Sequence, residues 1–188
     1  MEIREIARKK VFFFEKTTST MDIARQLCEI EFEPVIVAGV QTKGRGRQGR
    51  QWISDKGGLW VSVIWRDISR DLLNYLFVVV GFAIIETLRD FEISAKIKLP
   101  NDIYIRDQKI AGVLIENLNK CVIIGIGINV NNQISEKMDD ATSCSEILGH
   151  FLELEKVLEH LLRNLYLARN QFETDAERFS NNIRGLLI

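Results

Sequence analysis

The spacing of apolar residues changes period several times along the chain, and each change marks an element. Val11 to Glu15 reads as a strand and ends in the hydroxyl-rich run Thr17-Thr18-Ser19-Thr20. From Met21 to Glu31, Ile23, Ala24, Leu27 and Ile30 recur at helical spacing, so one of the preceding hydroxyls is expected to cap a helix. Pro34 to Val40 and Leu59 to Trp65 are β-branched, strand-like runs, the second introduced by Gly57-Gly58. Leu72 to Phe91 predicts a long, largely buried helix. Its apolar heart, Tyr75 to Ile85, is shorter than the roughly 20 residues of a membrane span. Then come Lys96-Ile97-Lys98, a turn at Pro100-Asn101-Asp102, and three β-like runs, Ile103 to Arg106, Lys109 to Glu116 and Val122 to Ile128. Asp107-Gln108 is the expected tight turn between the first two. From Cys144 to about Phe172, Leu152, Leu158, Leu161, Leu162, Leu165 and Phe172 predict one or two amphipathic helices. Clustered strands with hairpin-length connections, flanked by helices, predict an α+β fold with a mixed, mainly antiparallel sheet.

Composition narrows the class. At 188 residues, with 46% apolar and 27% charged positions, the chain reads as one soluble globular domain without linker or repeat. Cys28, Cys121 and Cys144 are odd in number and scattered, which argues against a disulfide framework or zinc site and for a reducing cytoplasm. The charged start, Met1 to Lys10, makes a poor secretory leader. His150 and His160 read as surface or packing residues. No Ser/His/Asp or Cys/His arrangement stands out, so charge stabilisation of a substrate is the expected chemistry.

Charge is where the picture sharpens. Lys43 to Arg50 holds four cations and three glycines, with no acid between Glu33 and Asp55. The net charge is −1, so the rest of the chain is acidic. A concentrated anion site fits that balance better than the extended basic face a nucleic acid needs. Gly44, Gly46 and Gly49 have dinucleotide-fingerprint spacing, but Trp52 and a strand follow instead of a helix, and no Gly-Lys-Ser/Thr follows either. Arg45, Arg47 and Arg50 are therefore the candidate anion donors. In a regular strand Lys109 shares a face with Ala111, Val113 and Ile115, where an ammonium asks for a compensating anion. An edge-strand lysine at a hairpin mouth is the alternative. Gly112 suggests close backbone approach. Asp102 is either a turn residue or a carboxylate that orients a lysine or a metal. Gly125 and Gly127 leave one strand face bare enough for a flat ring, with Asn129 and Asn131 beside it; a twisted strand end with an Asn-rich turn is the plainer reading.

In this order the segments resemble the biotin protein ligases. The residues that carry the resemblance are Ser19-Thr20-Met21, Gln41 to Trp52, Lys98 to Asp102, Lys109 to Glu116 and Gly125 to Asn129, within about residues 11 to 145. Met21 stands where that family commonly has Asn, and Leu99 where it has Trp. The resemblance implies the fold shared by biotin protein ligase catalytic domains and class II aminoacyl-tRNA synthetases. It also implies a two-step reaction in which biotin and ATP give biotinyl-5′-AMP and pyrophosphate, and a lysine of a carboxylase's biotin carboxyl carrier domain then takes the biotinyl group. By resemblance Ser19, Thr20, Gln41, Gly44, Arg45, Lys109 and Gly112 serve biotin. Arg47, Arg50, Trp52, Asn129 and Asn131 serve the adenylate, Asp102 an indirect Mg2+ contact, and Arg45, Arg47 and Lys109 the rate. The expected organisation is one catalytic domain over residues 1–188, without the DNA-binding domain or the small C-terminal β-barrel of some relatives. The expected setting is cytoplasmic, with no nucleic acid or membrane partner and a possible homodimer. A protein that binds biotin or its adenylate without transferring it, and a lipoate-type ligase, are the alternatives.

Overall fold

The computed structural model describes residues 1–135 and 140–188 and centres on one eight-stranded sheet in the order β1-β2-β3-β4-β8-β7-β6-β5. Its strands are β1 (Glu2–Ile6), β2 (Lys9–Thr17), β3 (Val35–Gln41), β4 (Leu59–Trp65), β5 (Lys96–Lys98), β6 (Asp102–Ile105), β7 (Gln108–Asn117) and β8 (Val122–Ile128). Only β2 and β3 run parallel; the other neighbours are antiparallel. The exception has a local cause. Helix α1 (Thr20–Gln26) carries the chain back between β2 and β3, as a parallel pair requires.

β4 lies between β3 and β8 and is buried at every residue. Leu59, Val61, Val63 and Trp65 enter the main core, while Ile64 joins a smaller cluster with Met21, Ala24, Cys28, Ile36, Cys121 and Ile123. Helices α2 (Arg70–Arg89), α4 (Leu154–Thr174) and α5 (Ala176–Ile183) supply the main core's other wall, and α3 (Cys144–Leu148) caps its end. α2 begins where the Ser69 hydroxyl accepts from the Leu72 N–H at 3.1 Å, satisfying one of the helix's free donors. It is long and apolar enough to cross a membrane, yet 56% of its most apolar window is buried in this fold, as expected of a core helix.

Several expectations need correction. The first ten residues were assigned no element, but β1 pairs antiparallel with β2. Ala7 (φ 49°) and Arg8 (φ 61°) make the two-residue connection with the positive φ that such hairpins require, without the glycine that would have announced it. α1 stops at Gln26, short of Glu31. The β6–β7 turn is Arg106-Asp107, one residue before the expected pair, with Arg106 at φ 53°.

The cysteine reading also fails. Cys28 and Cys121 form a disulfide across 93 residues, because the end of α1 folds down beside the start of β8. The case for a reducing compartment loses that support. Cys144 stays a free, buried thiol whose pKa burial pushes up to about 12, so it is protonated at neutral pH.

A cavity roofed by the arginine loop

A cavity of about 1080 Å³ opens between α1, the Gln41–Trp52 loop and the glycine-bearing ends of β7 and β8. Thirteen candidate residues were named from the sequence, and eleven line it: Ser19, Thr20, Gln41, Arg45, Arg47, Arg50, Trp52, Asp102, Lys109, Gly112 and Asn129. Gly44 and Asn131 do not.

The loop is a folded ribbon. Gln41 bridges to Ser54 and Arg45 to Gln51, while the Trp52 N–H donates to the Gly44 carbonyl at 2.9 Å and the Gly46 N–H to the Arg50 carbonyl at 2.8 Å. Its tip turns through Gln48 (φ 55°) and Gly49 (φ 74°). Gly44 acts inside this ribbon, not at a ligand: a Cβ there would stand 2.5 Å from the Ser54 hydroxyl and against the Trp52 carbonyl.

A directional hydrogen-bond chain fixes one wall. Ser62 donates to the Thr20 hydroxyl (2.8 Å), and Thr20 to Gln41 Oε1 (3.1 Å). Gln41 Nε2 donates to the Ser54 hydroxyl (2.8 Å), and Ser54 to the Trp52 carbonyl (3.1 Å). The Thr20 N–H also donates to Gln41 Oε1 at 2.8 Å. Gln41 and Thr20 therefore lock α1 to the loop. Ser62 and Ser54 were missed from the sequence. The clue for Ser62 was a lone hydroxyl in the apolar run Leu59 to Trp65, and its residue is fully buried. Ser19 is 1% exposed, and its hydroxyl has no hydrogen-bond partner among the described residues.

The bare glycine face is not left open for a ligand's ring; the chain's own side chains lie on it. A Cβ at Gly127 would stand 2.6 Å from Trp52 Nε1, one at Gly112 2.8 Å from Trp52 Cζ3, and one at Gly125 2.6 Å from Met21 Sδ. Trp52 thus lies flat over two strands, with its edge toward Trp60 at 6.3 Å between centroids. Its indole N–H is buried without an acceptor among the described residues.

Lys109 comes into place through an irregularity that no alternating pattern reveals. Asp102 pairs with Gly112 and Ile103 with Ala111, but Tyr104 pairs with Lys109, so Ile110 is an extra residue in β7. Ile110 and Ala111 both enter the core. The bulge turns Lys109 to the opposite face from the expected Ala111, Val113 and Ile115 set, as bulges do. A Cβ at Gly112 would lie 3.3 Å from Lys109 Cε. The Lys109 ammonium stands 2.6 Å from Asp102 Oδ1 and 4.9 Å from the Trp52 ring centroid. Across the ladder, burial and the nearby Asp102 and Asp140 charges raise the Tyr104 pKa above 10.0, which keeps it a neutral phenol.

Arginine placement varies. Arg47 Nη1 donates to Asn101 Oδ1 at 3.2 Å, and Arg50 is exposed on the rim. Arg45 Nη2 is 2.9 Å from Asp22 Oδ1 and 3.6 Å from Glu116 Oε1, yet among the described residues its Nε and Nη2 lack an aligned hydrogen-bond acceptor. Asn129 reaches the cavity wall with its amide committed, donating to the Thr142 carbonyl and accepting from Asn132 Nδ2, both at 3.1 Å. Asn131, expected at a nucleotide, instead clamps Leu152: its Nδ2 donates to the Leu152 carbonyl (2.7 Å) and its Oδ1 accepts the Leu152 N–H (2.9 Å).

Asp102, the candidate for a magnesium contact, offers one carboxylate already paired with Lys109. Among the described residues no group of three or more His, Cys, Asp or Glu side chains is placed to hold a metal. The donor set does not fit a protein-held ion.

The model of the biotin/lipoate A/B protein ligase family matches residues 13–129. The bifunctional ligase/repressor BirA of Bacillus subtilis (strain 168) is 34% identical over 172 residues, covering 84% of this chain and 53% of the relative. Biotin--[acetyl-CoA-carboxylase] ligase of Mycobacterium tuberculosis is 30% identical over 138 residues, covering 70% and 52%. The chain thus spans about half the length of the curated relatives it matches. Among solved structures, biotin protein ligase from Aquifex aeolicus in complex with biotin and ATP superposes with a TM-score of 0.87 at 33% identity, covering 95% of this chain and 78% of that one.

Proposed function

For this chain, which belongs to the biotin/lipoate A/B protein ligase family, we propose the activity of a biotin protein ligase: adenylation of biotin by ATP, then transfer of the biotinyl group to a carrier-domain lysine of a carboxylase. One observation carries the reading. Buried donors without hydrogen-bond partners among the described residues, the Ser19 hydroxyl, Arg45 Nε and the Trp52 indole N–H, converge on the cavity that holds Lys109. Each buried donor left unpaired costs about 1–3 kcal/mol. A ligand bearing a urea-type carbonyl at one end and carboxylate and phosphate oxygens at the other supplies acceptors for them.

In the first step a carboxylate oxygen of biotin bonds to the α-phosphorus of ATP while the bond to the β-phosphate oxygen breaks, and pyrophosphate leaves with that electron pair. Two anions must meet, so the chain's contribution is positive charge. Arg45 and Arg47 come from the loop, and Lys109 is held between Asp102 and the Trp52 face. Magnesium would come with the ATP phosphates, and no protein-held ion is invoked. In the second step the carrier amine attacks the acyl carbon, loses a proton, and AMP departs. The loop's role is to keep water from the mixed anhydride meanwhile. Ser19, Thr20 and Gln41 then line the ureido end, and Gly112 admits the indole beneath the site.

Incubation with biotin, Mg-ATP and an apo carrier domain tests the reading. Biotin on one carrier lysine, with one pyrophosphate released per adenylate, is expected. Adenylation of lipoate in preference to biotin, or tight biotin binding without pyrophosphate release, would overturn it.

A further inference from the structure

Asp22, in the first turn of α1, and Glu116, near the end of β7, both reach the Arg45 guanidinium from behind the wall of the main cavity. Neither acid lines that cavity, whereas Arg45 does. A smaller cavity of about 430 Å³ on the loop's far side is lined by both Arg45 and Glu116, so Arg45 forms part of the partition between the two. Arg25 extends the chain of charge, with Nη2 2.6 Å from the other Glu116 oxygen. One guanidinium therefore ties three elements: the helix that carries Ser19 and Thr20, the loop, and the strand that carries Lys109 and Gly112.

We propose that Asp22 and Glu116 are positioning residues: acting only through Arg45, they hold the loop closed over the cavity and so retain the activated intermediate. The contact is one of charge, because Arg45 Nε and Nη2 find no aligned acceptor among the described residues. The two acids fix where the guanidinium sits through Nη2 and leave Nε–H for a ligand anion. Arg25 holds Glu116 in turn, keeping that carboxylate from swinging out to solvent. The side chains are partly exposed, 34% for Arg45, 37% for Asp22 and 22% for Glu116, so each pairing is of modest strength and breakable. A closure that must open once per turnover requires that.

This inference rests on the ligase reading, so one arm of its test does not. The isosteric, uncharged variants Asp22→Asn and Glu116→Gln are compared with the parent. In the ligand-free protein, trypsin should nick the loop at Lys43, Arg47 or Arg50 about two- to fivefold faster in each variant, the size set by a half-exposed ion pair. With biotin and ATP, loss of preformed adenylate, followed by chase, should accelerate by a similar factor, with lysines of a bystander protein labelled in consequence. Biotin KM should change less than the adenylate release rate. In an Arg45→Met background either acid substitution should add nothing, and Asp22→Glu, which keeps the charge, should preserve closure where Asp22→Asn loses it. Unchanged nicking in both variants, or full effects that persist without Arg45, would overturn the proposal. If the parent forms no adenylate, the ligase reading falls, and the proteolysis arm still decides on the latch.

Discussion

Gly127→Ala is the sharpest test of the claim that Trp52 forms the floor of the cavity. The added methyl would stand 2.6, 2.7 and 2.9 Å from Trp52 Nε1, Cε2 and Cζ2, inside any real contact distance and against a rigid ring. The indole cannot slide away freely. Its backbone N–H is bonded to Gly44, its carbonyl accepts from Ser54, and Trp60 meets its edge. Overpacking of this kind costs about 1–3 kcal/mol, which for a domain of this size lowers Tm by about 2–12 °C. A lifted indole would also narrow the cavity and displace the Lys109 ammonium that faces it, so biotin affinity should fall about tenfold, or ~1.4 kcal/mol. Differential scanning calorimetry and isothermal titration measure the two effects. In a Trp52→Ala background the stability cost should shrink below about 0.5 kcal/mol, because the clashing partner is gone. Gly185→Ala, whose Cβ would meet nothing within 4 Å, is the neutral control. If Gly127→Ala keeps its Tm and affinity, or costs as much without Trp52, the floor assignment is wrong.

Other predictions follow from the same geometry. Lys109→Met should lower the single-turnover adenylation rate about 10²–10³-fold, as loss of a charge at the reacting phosphate does, with a much smaller effect on thermal stability. Cys121→Ser, or full reduction, should lower unfolding free energy by up to about 4.7 kcal/mol, the chain-entropy value for a loop near 100 residues; urea titration with and without reductant reads it, and no difference would mean the bridge does not form. Burial disfavours the Glu33 carboxylate, but the Lys9 hydrogen bond, the Arg66 N–H and the Lys9 and Arg169 charges outweigh it and hold its pKa below 4.5. The unfolded chain therefore binds the extra proton first, so this contribution is full above about pH 4.5 and is lost as pH falls through the lowered folded value. Glu33→Gln should flatten the urea midpoint against pH in that acid range and leave the slope above it unchanged.

How much was legible in advance depended on the range of the interaction. Local periodicity placed α2 within two residues at each end and found six of the eight strands, missing only the edge strands β1 and β5, because burial of one face is written directly into spacing. The clustered charge of Lys43 to Arg50, and the order of Gln41 to Trp52, Lys109 to Glu116 and Gly125 to Asn129, located the segments that meet in one cavity. Side-chain chemistry sufficed there, since a cluster of cations and glycines is recognisable before its partner is known.

The tertiary structure decided which atoms touch. Gly125 and Gly127 announced a bare face, but β7 and β8 had to pair in register before Trp52 could lie across Gly112 and Gly127 and Met21 across Gly125. Strand alternation pointed Lys109 toward the core; the extra Ile110 in β7 reversed it, and a bulge is defined by the partner strand, β6. Asn129 and Asn131 differ only in what α3 and Leu152 bring beside them. Cys28 and Cys121 meet only after 93 residues of chain have folded between them. The chain alone named the chemistry, because charge and backbone freedom belong to single residues. Orientation and partnership belong to pairs distant in sequence, so they waited on the fold.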